Sequence, residues 1–279
     1  MAAVSGPGFS DTAPPTEAPR RRWWIGGLVA VWIVVLAGLA VWSVGSSPPT
    51  VPEQRDIAQA LPKLQEATGT VFAAAGGPGR AVVLGGLAMA EGCRITGVRD
   101  GVLAVRDIVV HVRAGEARTA LEAIAAALPA GYAADVATSR GGTEVSLHAD
   151  AGNFIGIDAD AKTAAQAVTF RVSTGCRPLG AEASVTEPSA GSAPEALAAV
   201  LAKVGAADGA AVVSAVNCPA GGAAATYAVD EIAAPADLER RLTGSIRNGP
   251  DVWAYRTGND SVVVTREDSR LRVEVSTGC

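Results

Sequence analysis

Apolar positions along the chain follow three different patterns. Residues 23–44, WWIGGLVAVWIVVLAGLAVWSV, are uncharged throughout. Beyond about residue 50 some apolar residues keep helical spacing, as in Ile57, Leu61, Leu64 and Val71, and again in Leu121, Ile124, Ala125 and Leu128. Others gather in short strand-like runs bounded by turn residues: Ala81–Cys93, Val102–Val112, Ala133–Ala137, Thr143–His148 and Val168–Cys176.

The same order then returns. Leu197, Val200, Leu201 and Val204 mark a helix, and Val212–Cys218 and Ala223–Asp230 mark two strands. Pro235 opens a helix with Leu238, Leu242 and Ile246 on one face, proline being favoured in a first helical turn. Strands follow near Val252–Arg256, Ser261–Thr265 and Leu271–Val275, separated by the turn-forming stretches Thr257–Asp260 and Arg266–Arg270. The pentapeptide Val172-Ser173-Thr174-Gly175-Cys176 recurs as Val275-Ser276-Thr277-Gly278-Cys279, so the two stretches read as an internal duplication. On this alignment the first copy carries an insert, Ala151–Ala167, that the second lacks.

Each copy is thus helix, two strands, helix and three strands, which packs most economically as helices on one face of an antiparallel sheet. The predicted fold is α+β: an N-terminal transmembrane helix, then two tandem two-layer sandwiches. The predicted divisions are a disordered cytoplasmic tail (1–22), the transmembrane helix (23–44), a linker (45–54), the first repeat (55–176), a second linker (177–193) marked by Pro178, Pro188 and Pro194, and the second repeat (194–279).

At about 1.5 Å per residue the apolar segment is roughly 33 Å long, enough for a hydrocarbon core of about 30 Å. Trp23 and Trp24 stand at one end and Trp42 at the other, where indoles favour the headgroup layer. Arg20–Arg22 precede the span and the next basic residue is Arg55, which places the N-terminus in the cytoplasm and the remainder outside. Gly38-Leu39-Ala40 offers a signal-peptidase pattern, but the length of the segment and its tryptophans favour an uncleaved anchor.

Charge narrows the partners. Of 23 basic and 28 acidic residues, Arg20, Arg21, Arg22, Asp11 and Glu17 fall in the tail, leaving 20 against 26 beyond it. No Lys/Arg cluster lies beyond that tail triplet, so nucleic acid is not an expected partner. The four cysteines lie two per copy, each at a strand end, and in an oxidising compartment an even set pairs. The duplication selects structural disulfides Cys93–Cys176 and Cys218–Cys279.

Candidate chemistry is sparse. No CxxC or HxxxH pattern suggests a metal, and no cofactor motif appears. Asp158-Ala159-Asp160 begins like a calcium loop but lacks its glycine and its bidentate glutamate. Gly76-Gly77-Pro78-Gly79 sits between a helix and a strand, the reverse of a phosphate loop. No G-x-S-x-G, S-x-x-K or H-E-x-x-H signature occurs. His111 and His148 alternate with apolar neighbours and are expected on solvated strand faces. The insert, with Asn153 and the exposed-looking Phe154, Ile155 and Ile157, is the expected interaction loop. The expectation is a membrane-anchored, non-catalytic, exported module that binds a protein or envelope component through sheet edges or this loop. The alternatives are an envelope hydrolase using Asp158 and Asp160, or a sensor acting through a partner.

Overall fold

The computed structural model describes residues 20–46, 55–180, 186–206 and 209–279. The tail residues 1–19, most of the linker 45–54, and residues 181–185 of the second linker lie outside these. The chain divides into two compact units, residues 1–49 and 50–279.

In the first unit a single helix, α1 (Arg20–Ser46), carries the apolar segment. Residues 23–43 of it are long and apolar enough to cross a membrane.

The second unit holds both repeats. The first begins with α2 (Ile57–Ala75), whose N-cap Asp56 accepts a hydrogen bond from the Gln59 N–H at 2.9 Å. There follow β1 (Ala81–Thr96), β2 (Arg99–His111), α3 (Ala117–Ala127), β3 (Asp135–Thr138), β4 (Glu144–Asp150), β5 (Gly156–Lys162) and β6 (Ala167–Arg177). The second comprises α4 (Glu195–Val204), β7 (Val212–Asn217), β8 (Ala223–Ala233), α5 (Leu238–Arg241), β9 (Arg247–Asn248), β10 (Val252–Thr257), β11 (Asp260–Glu267) and β12 (Arg270–Ser276). Each repeat is one antiparallel six-stranded sheet, and the orders β1-β2-β6-β5-β4-β3 and β7-β8-β12-β11-β10-β9 match strand for strand.

That match corrects the sequence alignment. Residues 151–167 are not an insert: they hold β5, which lies between β4 and β6 as β11 lies between β10 and β12. The second repeat is the shorter: β7 has six residues where β1 has sixteen, α4 ten where α2 has nineteen, α5 four where α3 has eleven, and β9 two where β3 has four. A two-residue strand has no periodicity to read, so the sequence pattern aligns the repeats one strand out of step. The helix expected from Pro235 to Ile246 is likewise one turn only. Leu242 is already extended (φ −111°, ψ 135°), and a Cβ on Gly244 would stand 1.7 Å from the Arg247 carbonyl oxygen. Thr243 and Gly244 are poor helix formers, and the chain turns there to bring Ile246 into a buried position.

Apolar burial follows the expected stripes. Ile57, Leu61, Leu64, Val71 and Phe72 of α2, with Leu121 and Ile124 of α3, cover Ile108, Leu147, Ile157, Phe170 and Val172 of the first sheet. Leu197, Val200 and Leu201 of α4 cover Tyr227, Trp253, Val264 and Val273 of the second. Cys93–Cys176 and Cys218–Cys279 are both bonded, with Cα separations of 5.8 and 5.4 Å. They close loops of 83 and 61 residues, worth roughly 4–5 kcal/mol each in the chain-entropy picture.

The repeats are not independent sandwiches. Ala81 and Val83 of β1 pack with Ala254 and Val263 of the second sheet and with Ile246, on the face turned away from α4. β1 is the edge of its own sheet, and its outward amides find hydroxyls there: Val82 N–H donates to Ser261 Oγ (3.0 Å) and Leu84 N–H to Thr226 Oγ1 (2.9 Å). Thr226 is in turn hydrogen-bonded to Ser276, hydroxyl to hydroxyl, at 2.6 Å. Val216, Cys218 and Ala224 join the core beneath α2, where Gly69 is required: a Cβ there would lie 2.0 Å from the Asn217 carbonyl oxygen. Beside this seam the buried Arg106 donates from Nε to Gly85 O (3.0 Å). Its Nη2 lies 2.9 Å from Glu187 Oε1, an ion pair by distance although off the hydrogen-bond angle. The other carboxylate oxygen of Glu187 accepts the Ala215 N–H of β7 at 2.8 Å.

His111 belongs to this buried region, not to a solvated face as expected. It is 7 % exposed, and burial together with the nearby Arg247 guanidinium lowers its pKa from 6.5 to about 4. Alternation put it on the face away from the helices, but the second repeat covers that face.

Candidate functional site

On β4, Val145, Leu147 and Ala149 are buried, so Glu144, Ser146, His148 and Asp150 turn outward. On β5 the same logic turns out Asp158, Asp160 and Lys162. Unlike its β1–β2 end, this part of the first sheet's outer face is open to solvent.

Strand register lines up charge across it. Asp135 of β3 pairs with His148 of β4, His148 with Asp158 of β5, Asp158 with Arg171 of β6, and Arg171 with Asp107 of β2. The row therefore crosses five strands at right angles to their direction. His148 Nδ1 lies 2.6 Å from Asp158 Oδ1. Arg171 donates to both Asp107 oxygens, Nε at 3.2 Å and Nη2 at 3.4 Å, and this carboxylate raises its pKa. Exposed pairs of this kind contribute only about 0–1 kcal/mol each, so the row is poorly explained as a stabilising device. Beside it a depression of about 540 Å³ is lined by Thr138, Glu144, Ser146, Asp160 and Lys162, among others. Asp158 and Asp160, the acids of the hydrolase reading, are thus separated in role: the first holds His148 and the second borders the depression. Among the described residues no three His, Cys, Asp or Glu side chains form a group that could hold a metal ion.

The expected interaction loop is divided by the structure. Ile155 and Ile157 are fully buried in the first repeat's core, because the segment is a β4–β5 turn leading into a strand. Asn153 and Phe154 remain at the surface, both in the left-handed region (φ 56° and 61°), with the Phe154 ring half-exposed. Beneath that ring lies the buried Arg177 guanidinium, 5.6 Å from its centroid, which donates to Thr174 O at 2.8 Å and to Asn153 O. Arg55 donates to the Asn153 side chain. Burial lowers the Arg177 pKa, and neighbouring Arg55 lowers it further. Sequence reasoning gave Arg106, Arg177 and the charged row no role. Only knowledge of which strands are neighbours brings Asp107 beside Arg171.

No family model matches the chain, and no curated protein does. Among solved structures it is similar to the crystal structure of a DUF4853 family protein from Actinomyces odontolyticus ATCC 17982. That similarity runs at 15 % identity over 61 % of this chain and 89 % of that one, with a TM-score of 0.36. The fold rests on the strand order and core described above.

Proposed function

We propose that this is an exported, membrane-anchored, non-catalytic module that binds a protein or envelope component through the open face of its first sheet. The observation that carries this reading is the inequality of the two sheets. The first repeat covers Ala224, Thr226, Ala254, Ser261 and Val263 on the outer face of the second, leaving Val212, Asp230 and Arg272 exposed beyond that cover, whereas the whole β3–β6 part of the first sheet stays open and bears a register-aligned row of charge. The apolar α1 helix, with tryptophans near both ends and arginines before it, supports anchorage with the N-terminus inside. Two disulfides support an oxidising, extracytoplasmic setting for the remainder.

The test is site-specific photocrosslinking in the native envelope with the full-length chain. A crosslinker at Thr169, exposed on the open face, is expected to give a discrete adduct, and one at the exposed Arg270 of the second repeat none. Equal adducts at the two sites, or none at Thr169, would remove the reading.

A further inference from the structure

An open sheet edge lies beside the depression. The bond from Ser139 N–H to Glu144 O (2.9 Å) sets the alternation along β3, so Ala137 and Asp135 face β4 while Val136 and Thr138 turn their backbone N–H and C=O groups outward. No described strand pairs with that side of β3. The other edges are treated differently. β1 is covered by the hydroxyls of Ser261 and Thr226 over its first part and interrupted by register shifts after Leu84 and Glu91. β7 has its Ala215 amide capped by Glu187, and β9 has two residues. Bulges and covering groups are the usual protection of an edge against added strands, and β3 has neither. Its rim is acidic: Asp135 lies on the strand itself, Glu144 and Asp150 on the outer face of β4 and Asp160 in the adjoining depression, against the cations Lys162 and Arg140.

We propose that β3 accepts an extended, basic peptide segment of another protein as a seventh strand of the first sheet. The backbone groups of Val136 and Thr138 supply the ladder bonds, and the carboxylates of Asp135, on β3 itself, and Glu144, on β4, receive lysine or arginine side chains on the open face. Main-chain bonds provide affinity in such strand addition and alternate side chains provide selection. This inference rests on the binding reading above and names the partner's chemistry.

The test uses the full chain in detergent micelles and fluorescence anisotropy with a labelled, end-blocked Lys-Val-Lys-Val-Lys peptide. The controls are a Glu-Val-Glu-Val-Glu peptide and a lysine peptide N-methylated at alternate amides. Saturable binding of the lysine peptide alone is expected. N-methylation and Thr138→Pro should each weaken it by about tenfold, the effect of losing one or two ladder hydrogen bonds. Thr138→Pro removes only an outward N–H, so the melting temperature should stay unchanged and certify the variant's fold. Asp135→Asn with Glu144→Gln should weaken binding and flatten its salt dependence. Lysine-peptide binding indifferent to both N-methylation and Thr138→Pro would overturn the strand addition while leaving a binding face intact. Equal binding of the glutamate peptide would overturn the basic partner. Self-association of the chain that Thr138→Pro abolishes, with no peptide bound, would assign the edge to a second copy and overturn the proposal. Absence of any peptide binding, with the Thr169 adduct still formed, would overturn the strand addition alone.

Discussion

Glu144, Ser146, His148, Asp158 and Asp160 face outward from the first sheet, whereas Ala254, Ser261, Val263, Thr226 and Ser276 occupy the outer face of the second. The two sheets share one strand order, so topology does not account for the contrast. What differs is what lies against each face. In the second sheet small apolar and hydroxyl side chains meet β1 and α2 of the first repeat, and burial runs unbroken from Ala224 to Val229. In the first sheet, burial alternates along β4 and β5 because one side is water. Two equal frames packed one on the other close much of one outer face and leave the other open across β3–β6.

The sharpest way to break this comparison is to introduce the same residue on both faces. Ala254→Lys places an ammonium in the closed seam, and an unpaired buried charge should cost about 4 kcal/mol or more. Ser146→Lys, on the open face, should stay within about 0.5 kcal/mol, and urea unfolding of the two variants measures the difference. Comparable losses would mean that the faces are not distinct. Next in size is Glu187→Ala, which strands the buried Arg106 and should cost about 3 kcal/mol. Adding Arg106→Leu should recover much of that loss, because the orphaned cation is then gone.

The seam also carries a pH signature. The folded-state pKa of His111 is depressed to about 4 from 6.5, so below 6.5 the unfolded chain takes up a proton that the native state refuses. Stability should therefore be flat above that value and fall as the pH drops towards 4, by up to about 3 kcal/mol in all. Replacing the imidazole, as in His111→Gln, should flatten that segment of a plot of melting temperature against pH. An unchanged slope would move the acid sensitivity elsewhere. The smallest effect is expected on the open row itself. Asp158→Asn should change stability by less than about 0.5 kcal/mol, since the pair it breaks is exposed. Its consequence should be read in the yield of the Thr169 adduct.

Much of the frame was legible in the sequence because local periodicity records it. The stripe of α2, the alternation in β4, the repeated pentapeptide and the resulting cysteine pairs needed no knowledge of tertiary packing. The rest depends on which strands and repeats become neighbours, which no local pattern records. His111 reads as solvated on its own strand and is buried by the other repeat. Ile155 and Ile157 read as a loop because the short strand Gly156–Lys162 carries two aspartates and lies between two turns. The charged row was invisible because Asp107 and Arg171 are far apart in sequence and meet only through the β2–β6 register.

The hydroxyl groups that receive the amides of Val82 and Leu84 bear on the history of the gene. A fresh tandem copy is redundant, and either half can be lost without penalty. Once the edge of one half is sealed by Ser261 and Thr226 of the other, deleting the second half exposes that edge, and deleting the first uncovers an apolar face. From that point the duplication acts as a ratchet: the halves diverge in sequence, but neither can be discarded, and the chain is inherited as a pair.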